Sequence, residues 1–331
     1  MIMLQTLRFS HVQRLAALMT VVSLSACGAC NCNVPGFTAA PVVGGVVSTP
    51  APGGVVATPA PGVVVLPPGV VLPAPTPPPA ALLCNQAAGA FALGPALTPF
   101  AILAAATVTN TGNTIVTYAA GAVTGSFNDD LIGVSPGTTV VGFYPPGTDT
   151  DGPSAIYAVG AGFSNIPAVP AAAQGALTTA YNTLAGMAAT TVFPGGQDLS
   201  QAAVPGHPTG TLPPGVYKSA STMGILAGNL TLDGGGNAQS VFVFQAGSAL
   251  NTTLNGGAGG NVILTGGASA CNVYWQVGSS AVLGGATFFG NILALASVTL
   301  TTSTQFTGRA LASTGAVTIS TASLVTNPGG K

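Results

Sequence analysis

The sequence predicts a mainly β fold, a β-solenoid accompanied by one long α-helix, and three observations support this. From about residue 90 onward, short apolar runs alternate with Gly, Asn and Thr, as strands alternate with turns. The C-terminal third repeats in units of 19 and 18 residues, with units beginning at Asn272, Asn291 and Arg309. One stretch near the middle of the chain has the apolar spacing of a helix instead. Repeats of this length are typical of solenoids, whose stacked coils bury a shared core.

The individual elements follow from local patterns. Strands are predicted over residues 100–103, 114–117, 139–143, 241–244, 261–265 and 273–277. The helix is predicted over residues 167–187, where Leu177, Ala180 and Leu184 recur at three- and four-residue spacing. A proline near its start and a glycine near its end suit helix termini.

Within the repeated units, apolar residues alternate with short polar ones. Inward Val or Leu with outward Thr is the period-two pattern of a half-buried strand. Aligning the units puts Val282, Thr299 and Thr318 in one outward column, and Gly284, Thr301 and Ser320 in the next. Val282 and Gly284 interrupt the rows of hydroxyl groups. Threonine also has a high β-propensity, so these residues are equally explained as the solvated side of ordinary strands.

The N-terminus has the pattern of an export signal. Arg8 and Arg14 form a basic region, and a short apolar run follows. Leu24-Ser25-Ala26-Cys27 resembles the bacterial lipobox, in which the cysteine is lipidated and becomes the new N-terminus. Residues 1–26 are therefore predicted to be a lipoprotein signal peptide and Cys27 the lipidation site. The protein is expected to be exported and lipid-anchored to the outer membrane or cell surface, or extracellular if the signal is an ordinary one.

Residues 27–84 are predicted to be a cysteine-bearing anchor and a linker rich in Pro, Val and Gly. Thirteen of the 27 prolines fall between Pro35 and Pro79, so the segment should be an extended, semi-rigid spacer. It would hold a domain of residues 85–331 away from the membrane. Export permits disulfides, but the sequence does not choose among the pairings of Cys30, Cys32, Cys84 and Cys271.

Charge is scarce, and this argues against most chemistry. Only 3% of residues are charged, the net charge is −1, and there is no Glu. Nucleic-acid binding, an enzyme activity, a cofactor and a metal are therefore not expected. Residues 149–152 look like half a calcium loop but are predicted to be a surface turn, and Asp129-Asp130 a loop. His207 is predicted to lie in a turn, without a catalytic triad around it, and Trp275 in the core.

Several motifs together resemble the β-solenoid ice-binding proteins of bacteria, algae and fungi. Among them are Leu212-Pro213-Pro214-Gly215-Val216-Tyr217 and Asn272-Val273-Tyr274-Trp275. Other matching stretches are residues 100–104, 107–112, 133–138, 177–182, 197–199, 241–245 and 290–294. They occur in order over roughly residues 90–328, so the resemblance covers the predicted domain and not the N-terminal segment.

The resemblance implies a three-faced solenoid with the helix packed along one side. It also implies a flat face with rows of Thr and other short side chains that contacts the ice lattice. The candidate contact residues are Thr299, Thr301, Thr318, Ser320, Thr252, Thr287 and Thr304. The expected partners are ice and, through the N-terminal lipid, a membrane. The alternative is a cell-surface adhesin or a self-assembling envelope protein that uses the same fold without ice activity.

Overall fold

The computed structural model describes residues 91–119, 130–160, 162–252, 260–284, 287–301, 304–320 and 323–329. All of them belong to the second of the two units into which the chain divides, Pro73–Lys331. The predictions for the signal peptide, Cys27 and the linker therefore lie outside the described residues. In the described part of the chain, no helix is both long enough and apolar enough to cross a membrane.

The described residues form 23 strands, one α-helix and three short 3-10 helices. The strands are β1 (Phe100–Ala104), β2 (Thr107–Asn110), β3 (Ile115–Tyr118), β4 (Leu131–Val134), β5 (Thr139–Val141), β6 (Thr148–Asp149), β7 (Ile156–Tyr157), β8 (Thr191–Phe193), β9 (Gln197–Asp198), β10 (Thr211–Leu212), β11 (Gly215–Ser219), β12 (Met223–Gly224), β13 (Leu230–Asp233), β14 (Phe242–Ala246), β15 (Leu250–Thr252), β16 (Val262–Thr265), β17 (Val273–Val277), β18 (Ala281–Leu283), β19 (Thr287–Ala294), β20 (Val298–Leu300), β21 (Gln305–Ala312), β22 (Val317–Ile319) and β23 (Leu324–Asn327). The helix α1 is Ala168–Ala185, and the 3-10 helices are Pro153–Ala155, Leu199–Gln201 and Ala270–Asn272.

Parallel ladders of these strands outline three faces. One is made by the ladder β5-β2-β22-β20-β18-β15-β12-β9, which we call the eight-stranded face. β19 and β21 turn a corner, because the beginning of β21 pairs with β23 whereas its end pairs with β1. The C-terminal ends of β19 and β21 lie in a second face with β17, β14, β1 and β4, which we call the helix-covered face because α1 packs on it. The N-terminal ends of β19 and β21 lie in the third face, which we call the split face. It also contains β23, β3, β6 and the separate β10-β13-β16 ladder. The predicted three-faced solenoid is confirmed.

The coils do not stack in chain order. β1, β2 and β3, from the first described coil, pair with β21, β22 and β23 of the last coil. β4, β5 and β6 stack on the other side of that first coil and form what we call the end coil, and β7 stacks on the far side of β4. After α1 the chain starts again at the opposite end, where β8 and β9 end their ladders. The two ends of the domain sequence therefore meet in the middle of the stack.

Rows of side chains from successive coils hold the stack in register. Four aromatic rings stack face to face in the order Phe193, Tyr217, Phe244 and Trp275. The centroids of successive rings are 6.2, 5.3 and 4.0 Å apart. Such aromatic pairs contribute about 0.5–1.5 kcal/mol each beyond their buried area. Trp275 is 1% exposed, which confirms that it belongs to the core.

The predicted helix is confirmed and covers one face. α1 buries an apolar stripe that includes Leu177 and Leu184 against the outer side of the sheet. Gln245, on β14, donates from Nε2 to the carbonyl oxygens of Leu184 at 2.6 Å and Met187 at 2.9 Å. These bonds satisfy carbonyls at the helix C-terminus, which have no partner within the helix.

A buried arginine links three parts of the domain. Arg309 is 2% exposed, and its Nη1 donates to Asn291 Oδ1 at 2.8 Å on the neighbouring coil. Its Nη2 donates to the carbonyl oxygens of Thr98 and Gly329, both at 2.7 Å. The guanidinium thus joins the segment before β1 to the residues after β23.

The repeat is confirmed in one unit and corrected in another. Asn291 pairs with Arg309, as the sequence alignment expected. Tyr274, and not Asn272, pairs with Asn291, so the earlier unit begins two residues later than predicted. The reason is that the predicted unit started inside the corner helix Ala270–Asn272, which precedes the strand.

The one cysteine among the described residues is disulfide-bonded. Cys271 is 3% exposed and lies in the corner helix before β17. The other four cysteines of the chain all precede residue 91, so the pairing left open by the sequence stays open.

Candidate functional site

The outer side of the eight-stranded face carries regular columns of side chains. Strand pairing places Gly224, Asn251, Val282, Thr299, Thr318, Thr109 and Val141 in one middle column. Residues two positions earlier or later on each strand form the flanking columns, because side chains alternate between the two sides of a sheet. The residues between them, such as Val298 and Leu300, are fully buried. The predicted alignment of Val282, Thr299 and Thr318 is confirmed.

Three neighbouring strands, β20, β22 and β2, make the densest group of hydroxyls on this face. We call it the hydroxyl patch, and its nine positions are Ser297, Thr299, Thr301, Ala316, Thr318, Ser320, Thr107, Thr109 and Thr111. Eight of the nine carry a hydroxyl group, and all are at least partly exposed. With strands about 4.8 Å apart and alternate residues about 6.7 Å apart, the patch measures roughly 10 Å by 13 Å.

The central threonines of the patch present ordered but unused hydroxyls. Among the described residues, the Oγ1 atoms of Thr299, Thr318 and Thr109 have no hydrogen-bond partner, so they are available to water. Thr301 is different, because its Oγ1 donates to the carbonyl oxygen of Leu283 at 2.7 Å. Threonine is β-branched and has few χ1 rotamers, so little order has to be gained when such a surface binds.

The face is almost free of charge. Of its eight strands only β9, at the end of the ladder, contains a charged residue, Asp198. Its Oδ1 accepts from the backbone N–H groups of Ser200 at 3.0 Å and Leu226 at 3.1 Å, and its Oδ2 from that of Ala227 at 3.0 Å. The carboxylate is therefore used to hold a corner of the solenoid. Close to the hydroxyl patch these strands carry no charged group that would bind its own water molecules tightly.

The other two faces are less suitable as a regular surface. α1 covers much of the helix-covered face. On the split face the ladder stops between β16 and β19, and the outward positions include Ile115, Leu324 and Phe289. Thr307, Thr326 and Thr117 do form one outward column on the split face, but the column beside it contains Gln305, Leu324 and Ile115. The eight-stranded face is where three adjacent columns of short side chains lie together.

The structure separates the seven candidates that the sequence suggested. Thr299, Thr301, Thr318 and Ser320 lie together in the hydroxyl patch. Thr287 is exposed but lies at the start of β19 on the split face. Thr252 and Thr304 are corrected: both are 0% exposed and cannot touch an external surface. Thr252 Oγ1 accepts from the Gly284 N–H at 3.1 Å, and Thr304 Oγ1 donates to the Thr301 carbonyl oxygen at 2.8 Å.

Sequence reasoning missed Ser297, Thr107, Thr109 and Thr111. Thr109 joins the middle column only because β2 pairs with β22, at the opposite end of the domain sequence. The repeat within the C-terminal third contains no sign of that pairing. The signal that could have found these residues is the Thr-Val-Thr alternation at Thr107–Asn110, which has the same period as the later strands.

The described residues contain no group of three or more His, Cys, Asp or Glu residues that could hold a metal ion. The surface-turn prediction for Asp149 is corrected, because this residue is 4% exposed. Asp130 lies in a loop before β4, as predicted, but it is 0% exposed. Asp149 is on β6, so its side chain takes an inward position of a strand.

Comparisons with known proteins agree with this geometry. The family model described as Ice-binding-like matches residues 102–325. An ice-binding protein of Nostoc sp. (strain HG1) is 41% identical over 224 residues, which is 67% of this chain and 69% of the relative.

Solved structures give the same result for the fold. The crystal structure of an ice binding protein from an Antarctic biological consortium is 33% identical, with a TM-score of 0.56, over 78% of this chain and 96% of that one. An ice-binding protein from the Antarctic ascomycete Antarctomyces psychrotrophicus is 30% identical, with a TM-score of 0.53, over 71% and 98%. These similarities confirm the predicted fold class and the resemblance noted in the sequence.

Proposed function

The chain belongs to the ice-binding-like family, and from this premise we propose that it binds ice through the hydroxyl patch of the eight-stranded face. The observation that carries the proposal is the patch itself, in which eight of nine outward positions bear a hydroxyl and none bears a charge. The relatives described as ice-binding proteins support it, and they favour it over the adhesin or envelope protein. We also propose that the protein is not an enzyme.

The physical basis is the addition of many weak contacts on a pre-organised surface. Threonine hydroxyls and methyls fixed at two regular spacings can hold ordered waters in a grid, directly or as bridges to ice. Because the rotamers are already restricted, each contact costs little ordering entropy. A protein held on the crystal in this way pins the growing front, so crystal growth or recrystallisation is inhibited.

The test is partition into growing ice. The purified chain is exposed to a slowly growing ice front beside a globular protein of similar size, and both are measured in the ice and in the remaining liquid. We expect this chain to be enriched in the ice and to keep ice grains small during annealing. Exclusion of the folded chain from ice would overturn the proposal and leave the fold intact.

We propose further that the protein is exported and anchored by a lipid on Cys27, with residues 27–84 as a spacer. The support is the basic and apolar order before Leu24-Ser25-Ala26-Cys27. Cys27→Ala should move the protein from the membrane fraction to another fraction, whereas Cys30→Ala should leave it with the membrane. Equal membrane association of both variants would contradict the anchor.

A further inference from the structure

Three of the chain's six acidic residues meet at one corner of the end coil. Asp130 immediately precedes β4, and Asp149 ends β6. Asp151 follows two residues after Asp149. Strands β4 and β6 belong to different faces of the end coil, so the cluster lies where that coil turns from the split face to the helix-covered face.

Hydrogen bonds connect the members of this cluster. Thr150 Oγ1 donates to Asp130 Oδ2 at 2.7 Å, and the Asp151 N–H donates to Asp149 Oδ1 at 2.9 Å. The Tyr144 hydroxyl donates to the Asp149 carbonyl oxygen and accepts from the Asp149 N–H at 2.9 Å. Three further carboxyl oxygens, Oδ1 of Asp130 and Oδ2 of Asp149 and Asp151, are buried and have no hydrogen-bond partner.

Buried, closely spaced carboxylates cannot all be ionised at low cost. Burial, and after it the Asp130 charge, raise the pKa of Asp149 to about 9. Burial likewise raises the pKa of Asp130 to about 7, partly offset by the Thr150 hydrogen bond. Burial also raises the pKa of Tyr144. The Asp149 carboxyl group thus keeps its proton at neutral pH, and the Asp130 carboxyl group loses its proton at about pH 7.

The neighbouring strands supply no charge to balance the cluster. β1 and β3, which pair with β4 and β6, contain no charged residue, and the titratable group of β3 is Tyr118. β7, on the other side of β4, contributes Tyr157. Retained protons on Asp130 and Asp149 are therefore the means by which these described elements can bury the two carboxyl groups together.

We propose that Asp130 and Asp149 form a pH-sensitive latch that holds the end coil on the solenoid. With a proton shared between them, the two carboxyl groups bind each other and tie the start of β4 to the end of β6. When the protons are lost, mutual repulsion separates the two positions and the end coil opens. Because β5 belongs to this coil, opening removes Thr139 and Val141 from the end of the eight-stranded face.

The direction of the pH effect follows from the raised pKa values. The unfolded carboxyls titrate near 3.8, so below that pH both states are protonated and the latch contributes its full stability. As pH rises, the unfolded chain loses its protons first. The stabilisation that the latch contributes to the folded state then falls progressively, until Asp130 has lost its proton at about pH 7 and Asp149 at about pH 9. The end coil is therefore expected to loosen in alkali and to be firm in weak acid.

Hydrogen exchange of the purified full chain tests the latch. Exchange is measured at about pH 6 and about pH 10, on either side of the two raised pKa values, and is divided by the unfolded-chain rate at each pH. In the wild type, peptides covering residues 131–157 should lose protection roughly tenfold or more at the higher pH. The β14 peptide, Phe242–Ala246, should keep its protection.

Isosteric variants separate the latch from a general alkaline effect. The double variant Asp130→Asn and Asp149→Asn cannot ionise there but can accept the same hydrogen bonds, so it should keep its protection at both values of pH. If the double variant does not fold, the single variant Asp130→Asn takes its place in the experiment. Asp233→Asn, at the end of β13, should behave as the wild type.

Three outcomes would overturn the proposal. One is a wild-type end coil whose protection is independent of pH. Another is an equal loss of protection in the wild type and the asparagine variants. The third is calcium-dependent protection of the wild type in alkali that the variants lack, because the cluster would then be a cation site. None of these outcomes bears on ice binding through the hydroxyl patch.

Discussion

Thr109 lies beside Thr318 in the middle column of the eight-stranded face, although the two residues come from opposite ends of the domain sequence. The pairing exists because the first described coil stacks on the last. It makes a surface that no contiguous stretch of the chain could form alone. Thr109 should therefore matter to ice binding as much as any threonine of the C-terminal repeats.

The first prediction concerns this cross-chain contact. Thr109→Tyr places a large ring in the hydroxyl patch and should weaken ice binding by roughly tenfold, or about 1.4 kcal/mol. Ile115→Tyr, on the split face of the same coil, is the control and should keep wild-type activity. Thermal hysteresis measures the effect, with circular dichroism to verify the fold. Full activity of a folded Thr109→Tyr protein would show that β2 is not part of the binding surface.

The second prediction concerns the buried threonines. Thr304→Val removes the hydrogen bond to the Thr301 carbonyl and should destabilise the domain by about 1 kcal/mol. The melting temperature should fall by roughly 2–4 °C. Ice binding in the cold should be unchanged, and Thr304→Ser should restore most of the stability. Loss of ice binding without loss of stability would mean that Thr304 contacts ice.

The third prediction compares two glycines. A Cβ on Gly308 would collide with the Gly290 carbonyl oxygen of the stacked coil, so Gly308→Ala should destabilise by about 1–3 kcal/mol. Gly175 lies within α1, and a Cβ there would meet nothing within 4 Å. Gly175→Ala should stabilise by about 1 kcal/mol, because alanine favours the helix. Urea unfolding distinguishes the two, and a neutral Gly308→Ala would contradict the tight corner stacking.

Local patterns predicted much of the fold because they report directly on burial. The spacing of Leu177, Ala180 and Leu184 identified α1, and alternation identified the strands that display Thr299 and Thr318. The unit starting at Asn272 was misplaced, since a corner helix there interrupts the period. Thr252 was assigned to the wrong side, although alternation from the buried Leu250, two residues earlier on β15, places it inward.

The site was only partly predictable for a related reason. Thr109 and Thr111 enter it through stacking between distant coils, which local sequence does not encode. The burial of Asp130 and Asp149 was not foreseen, because acidic residues in such segments are typical of exposed turns. Arg309 was identified only as the start of a repeat unit, whereas its buried hydrogen bonds join both ends of the domain.

Binding of ice by one particular face of the solenoid can be tested with two matched variants. Thr318→Tyr and Thr307→Tyr place the same ring in the hydroxyl patch and on the split face respectively. Thermal hysteresis of the two folded variants is then compared with that of the wild type. We expect Thr318→Tyr to lose most of the wild-type activity and Thr307→Tyr to keep it. Equal activity of the two variants, or a loss confined to Thr307→Tyr, would contradict this expectation.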